Sequence, residues 1–220
     1  MPADRRYALV VFDWDGTLCD SASTIADCIQ DAARDLGLVV PDRERASHVI
    51  GLGLHDSLRH AVPDLPRERY GEFVERYRQL FLDREPRMGL FEGVHDLLDE
   101  LQGRGHLLAV ATGKSRRGLD RAFETSGLRR RFVASRCADE TAPKPAPDML
   151  HELMRELDVP AEAMVMIGDT SHDLGMASSA GVDAVAVTYG AHPAGALRAL
   201  APRGCVSSVE ELRAWLATNA

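Results

Sequence analysis

From Phe91 to the end of the chain, short apolar runs alternate with stretches of helical periodicity, and this alternation limits the fold more than any other feature. The pattern predicts helices near 94–102, 116–126, 147–157, 174–180 and 209–217, and strands near 107–112, 132–134, 164–168, 184–187 and 205–206. An earlier run, 7–12, has the unbroken apolar character of a parallel strand covered on both faces. Strands alternating with helices imply an α/β domain built on a parallel sheet. In such sheets ligands bind beyond the carboxyl ends of strands, near the point where strand order reverses.

Three of the apolar runs close on chemically reactive residues. The first ends in Phe12-Asp13-Trp14-Asp15-Gly16-Thr17-Leu18, the second in Ala111-Thr112-Gly113, and the third in Ile167-Gly168-Asp169-Thr170-Ser171-His172-Asp173. Alternate residues of an extended chain share a face, so Asp13 and Asp15 can point into one site. Two carboxylates that close need a cation, a shared proton or both. A plainer reading, that they cap the following helix, remains open on the first run alone. Between the second and third runs lies Lys144, in the stiff segment Ala142-Pro143-Lys144-Pro145-Ala146-Pro147.

These four motifs, in this order, resemble those of the haloacid dehalogenase superfamily, in particular the phosphoglycolate phosphatase branch. The resemblance spans most of the chain. It implies a Rossmann-like parallel-sheet core, residues 1–19 and 87–220, with an inserted α-helical cap domain, residues 20–86. In the insertion, Ile25, Ile29, Ala32 and Leu36 recur at helical spacing, with Ser21 or Ser23 as N-cap and Gly37 as stop; further helices are expected near 42–49, 54–61 and 66–83. The aromatic stripe of the last one reads as packing.

By similarity to the family, Asp13 is the nucleophile and Asp15 the general acid and base. Thr112, the Gly113 N–H and Lys144 hold the transferring phosphoryl group. Mg2+ is the implied cofactor, held by the Asp13 side chain, the Asp15 main-chain carbonyl and the Asp169 side chain. Asp173 acts through a metal-bound water or by pairing with Lys144, and a helix N-terminal acid is compatible with either. Lys114 reads as a solvated or supporting residue and His172 as a solvated loop residue. Trp14, where family members usually carry an aliphatic residue, narrows the pocket or packs behind the strand.

In the insertion, Ile50-Gly51-Leu52-Gly53-Leu54-His55 resembles the glycine-bearing loop that the family places over its pocket, a helix–helix turn being the plainer reading. Arg45, His48, His55 and Arg59 are candidate readers of a substrate carboxylate. The resemblance implies a phosphatase acting on a small phosphorylated metabolite, phosphoglycolate-like or a sugar phosphate. Closure of the cap would pivot near 18–21 and 86–91. A sugar-phosphate mutase is the alternative on the same scaffold, and a non-catalytic regulatory protein a remoter one.

Composition narrows the classes further. A net charge of -8 with no basic stripe argues against a nucleic-acid partner. No apolar stretch is long enough to span a membrane, and the short run after Arg5-Arg6 is cut by Asp13, so a cytoplasmic location is expected. Cys19, Cys28, Cys137 and Cys205 have no paired spacing, which suits reduced thiols. The eight histidines show no metal-site pattern, an expectation against zinc. Only two lysines, Lys114 and Lys144, stand among many arginines, and both fall at the motifs. Oligomeric state is not legible.

Overall fold

A computed structural model describes residues 6–220, with all side chains except those of Leu54 and His55. The chain forms a six-stranded sheet, every neighbouring pair parallel. In chain order the strands are β1 (Leu9–Phe12), β2 (Leu107–Thr112), β3 (Ala134–Cys137), β4 (Met164–Gly168), β5 (Asp183–Val187) and β6 (Gly204–Val206), and across the sheet they run β3-β2-β1-β4-β5-β6. Strand β1 is therefore central, paired through Phe12 with Val110 on one side and Ile167 on the other. The order reverses between β1 and β4, so the switch point falls beside Asp13 and Asp169.

Alternation along the strands feeds two cores. Val10, Phe12, Leu108, Val110, Val165 and Ile167 face one apolar cluster with helices α5 (Val94–Gly103), α6 (Arg116–Ser126) and α10 (Val209–Asn219). Leu9, Val11, Ala109, Ala111, Met164 and Met166 face the other, against α7 (Asp148–Leu157) and α8 (Ser171–Ala180). Both faces being covered is why β1 and β4 read as unbroken apolar runs. Trp14 is 2% exposed in the first cluster, its ring edge-on to Phe123 at 5.3 Å, so it packs behind the strand.

Between β1 and β2 lie α1 (Ala22–Asp35), α2 (Arg43–His48), α3 (Leu54–Ala61) and α4 (Tyr70–Arg84). They share a third apolar cluster, with Ile25, Ala26, Ile29 and Ala33 of α1 packed with Phe73 and Phe81 of α4. The two connections to this helical block run side by side: Asp20 N–H donates to Gly89 O at 2.9 Å and Phe91 N–H to Leu18 O at 3.0 Å. No helix among the described residues is long and apolar enough to cross a membrane.

The sequence expectations miss in four places. Strand β3 starts at Ala134, where Phe132 instead stacks on Phe123 and Val133 is exposed; an edge strand with half-buried residues leaves no apolar run to read. Helix α8 begins at Ser171, because Thr170 and Asp173 form a capping box that draws Ser171 and His172 into its first turn. The five-residue α9 (Ala194–Arg198) is too short to show a period. Ser21 occupies the N-cap of α1 but does not cap it with its side chain; that hydroxyl goes to Asp15.

Candidate active site

The carboxyl ends of β1, β2 and β4 bring together the residues that the sequence holds far apart. Asp13 follows β1, its N–H donating to Ile167 O at 2.9 Å, which fixes the backbone between the two neighbouring strands. Its Oδ1 accepts the Trp14 N–H at 2.6 Å and faces Lys144 Nζ at 2.9 Å. Its Oδ2 is buried with no partner. Burial, opposed by Lys144 and reinforced by the neighbouring Asp173 and Asp15, pushes the Asp13 carboxyl up to about 7.

Lys144 is fully buried, held by Asp13 and by Asp173 Oδ1 at 2.6 Å. Burial alone would lower its pKa, but these two carboxylates more than offset that and keep it protonated. The other oxygen of Asp173 accepts from the Thr170 N–H and hydroxyl at 3.0 and 2.6 Å. Asp173 therefore pairs with Lys144 and starts α8 at once.

Asp169 Oδ1 accepts from the Thr17 hydroxyl at 2.8 Å and Oδ2 from the Ala191 N–H at 2.7 Å. Two glycines leave room for it: a Cβ on Gly16, itself at φ +78, or on Gly190 would lie 2.2 Å from Asp169 Oδ2. Burial first, then Asp13 and Asp173, raise its pKa well above the ordinary carboxylate range. Thr112 is buried, and its hydroxyl oxygen accepts the Lys114 N–H at 3.2 Å. A Cβ on Gly113 would sit 2.5 Å from Gly51 O, so the loop from the helical block lies directly on it. Gly51, at φ +90, also approaches Asp13 Oδ2, which would be 3.8 Å from a Cβ there.

The fit of a cation can be judged from the donor set. Asp13, Asp169 and Asp173 each offer an oxygen within 4.8 Å of the others. With Asp15 there are four carboxylates against two ammonium groups, and only Asp13, Asp15 and Asp173 pair with Lys114 or Lys144. An all-oxygen, negatively charged, buried cluster with one partnerless oxygen suits a hard divalent cation.

Other sequence expectations need correction. Of the two readings of Lys114, solvated or supporting, the structure gives the supporting one: its Nζ reaches Asp15 Oδ2 at 3.0 Å and lies 4.9 Å over the Phe81 ring, with the side chain 11% exposed. Asp15 Oδ1 accepts from the Ser21 hydroxyl at 2.7 Å. Arg59 is exposed and faces Asp56, and Arg45 is exposed on α2; neither lines the cavity at Asp13. The side chain of His55 lies outside the described residues. His48 turns instead to His172 and His192, whose Nε2–H groups donate to its carbonyl at 2.7 and 3.0 Å. His172 is thus a clamp in the first turn of α8, not a free loop residue. The three rings sit 4.9–5.2 Å apart, a grouping no local spacing announces. His192 Nδ1 accepts the Ser171 N–H at 3.0 Å, so both its nitrogens are engaged. Burial holds His192 down at about 4 and lowers His172, leaving both neutral as single N–H donors.

A cavity of about 220 Å3 opens above Asp13, Thr112 and Gly113, walled by α1, α4 and the Gly51 loop. A second, of about 470 Å3, lies beyond the Lys114–Asp15 pair, towards Trp14 and the paired connections.

The model of the family described as haloacid dehalogenase-like hydrolase matches residues 10–187, which includes every one of these strand ends. The chain belongs to the haloacid dehalogenase-like hydrolases. It is 37% identical to a probable phosphatase, IndB, of Dickeya dadantii over 93% of this chain and 91% of that one. It is 32% identical to a 5'-nucleotidase of Pseudomonas aeruginosa over 99% of both. Among solved structures, a predicted phosphatase from Clostridium acetobutylicum superposes with a TM-score of 0.83 at 26% identity, covering 96% of this chain and 99% of that one.

Proposed function

We propose that this hydrolase is a Mg2+-dependent phosphatase that cleaves a small phosphomonoester through an aspartyl-phosphate on Asp13. One observation carries the reading: Asp13 Oδ2 is a buried, partnerless carboxylate oxygen beside a buried ammonium and two further acids. Oδ1 is tied to the Trp14 N–H and Lys144, so the side chain cannot turn and Oδ2 is the atom left to react. Oδ2 attacks phosphorus, the bond from phosphorus to the leaving oxygen breaks, and Asp15 gives that oxygen its proton. Water then attacks the same phosphorus, Asp15 takes its proton, and the bond to Asp13 breaks to release phosphate.

Lys144, the Thr112 hydroxyl and the Gly113 N–H hold the phosphoryl oxygens, and Asp173 keeps Lys144 aimed at them. The Asp13 and Asp169 side chains and the Asp15 carbonyl would hold Mg2+, which supplies compensation for charge on the phosphoryl oxygens. Lys114 and Ser21 orient the Asp15 carboxyl. Residues 20–86 act as a cap whose Gly51 loop excludes water from Asp13.

The Asp13→Asn variant tests this. It should release no inorganic phosphate from esters that the wild type hydrolyses with Mg2+, and turnover near the wild-type rate would overturn the nucleophile assignment. Isomer formation without phosphate release by the wild type would make the chain a mutase.

A further inference from the structure

The cavity above Asp13 says more about the leaving group than about the phosphate. Its floor is polar: Asp13, Asp15, Thr112 and Gly113. Its roof, supplied by the helical block, is apolar, with Ile25 and Ile29 of α1, Ile50 of the loop, and Val74, Tyr77 and Phe81 of α4. Tyr77 and Phe81 are one helical turn apart and present roughly aligned faces, centroids 6.0 Å apart and planes 29° from parallel. Lys114 Nζ already lies 4.9 Å over the Phe81 ring, so Tyr77 is the ring that can stack offset with another flat ring, with Phe81 beside it.

The cations that border the same space are already partnered. Lys114 holds Asp15 at 3.0 Å, Arg121 faces Glu85 at 3.3 Å, and Arg78 faces Glu75 at 3.9 Å. A leaving group with its own carboxylate would have to share one of these cations with an acid already beside it, whereas a ring needs only the apolar roof. At about 220 Å3 the space is smaller than the ~300–1,000 Å3 of pockets that enclose drug-sized ligands, so it suits one ring and not a fused pair.

We infer that the substrate is a phosphomonoester whose leaving alcohol carries a single planar unsaturated ring, seated against Tyr77 and Phe81. This rests on the phosphatase reading above. The shared chemistry has two sources, a pyrimidine nucleoside monophosphate or the phosphate of an arylalkyl alcohol, and the assay separates them.

The test is steady-state kcat/KM of the Mg2+-loaded wild type on uridine 5'-monophosphate, benzyl phosphate, phosphoglycolate and glycerol 3-phosphate, none of which has an activated leaving group. At least one ring ester should exceed both ringless esters by about tenfold or more, the equivalent of one good stacking contact; the better ring ester identifies the source. In Tyr77→Ala, and in Tyr77→Leu should the smaller side chain fail to fold, the ratio of ring to ringless ester should fall towards one. Ringless esters equal to or better than both ring esters in the wild type, or an unchanged ratio in a folded Tyr77 variant, would overturn the inference while leaving the phosphatase reading intact. No hydrolysis of any of the four would count against that reading instead.

Discussion

Without a cation, Asp13 should make this fold lose stability as the pH rises from acid to neutral, the reverse of the usual behaviour of a carboxylate held by a salt bridge, while His192 and His172, both lowered by burial, add stability over part of the same range. Three acids pair with two lysines, with Asp169 beside them, and burial pushes Asp13 from 3.8 up to about 7. A raised acid keeps a proton in the folded chain that the unfolded chain has already lost. Its contribution is therefore complete below 3.8 and is lost as the pH climbs through about 7. At 1.36 kcal/mol per pH unit the whole shift amounts to about 4 kcal/mol, of which roughly 2–3 kcal/mol falls between about pH 5 and pH 7.5. Asp169, also raised by burial and by its acidic neighbours, acts in the same direction. A divalent cation bound only by the native state should cancel the loss. Urea denaturation followed by circular dichroism, in chelator and in Mg2+ at several pH values, reads this directly. The free energy of unfolding of the wild type should fall more, or rise less, with pH in chelator than it does in Mg2+, and than that of Asp13→Asn does in chelator. The same pH dependence in chelator for the wild type and Asp13→Asn would refute the electrostatic account of the site.

Lys144→Met should cost about 3–5 kcal/mol, because it leaves Asp13 and Asp173 buried without their counter-charge. Adding Asp173→Asn should restore part of that loss in urea denaturation, and strictly additive losses would show that the three groups do not act as a unit. Gly113→Ala should reduce phosphate release by about tenfold or more while the fold survives, since its Cβ would push Gly51 O from 2.5 Å and shift the loop over Asp13; wild-type turnover would refute that contact. His172→Leu and His192→Leu should each raise KM several-fold more than they lower kcat, by releasing the His48 carbonyl that anchors the same loop. Glutamine at either position keeps a donor and should restore KM; failure to do so would mean that the rings matter for packing alone.

How much of this was written in the sequence follows from what places each residue. Asp13, Thr112 and Asp169 end apolar strands, so the parallel sheet itself carries them to one edge, and an apolar run followed by a turn signals both the strand and its end. Lys144 sits on a loop with no period, and only the order of the motifs pointed to it; the structure buries it completely. Gly16 reads as a turn, but no local pattern tells that it also makes room for Asp169, 153 positions further on, as does Gly190. The cap residues were the least legible. Charge marks Arg45, His48, His55 and Arg59 as candidates, whereas the cavity is lined by Ile25, Ile29, Tyr77 and Phe81, whose helical spacing reads as packing. Both descriptions of those four side chains hold, because the apolar stripe that joins α1 to α4 in the helical core continues over Asp13. Helical periodicity identifies such a stripe without telling where the core ends and the cavity begins, since that boundary is fixed by how the helical block rests on the sheet. On the proposed reading, strand ends set the chemistry, and the way the helical cluster rests on the sheet sets the choice of substrate, so changes along the α1–α4 stripe should alter specificity while every group around Asp13 stays in place.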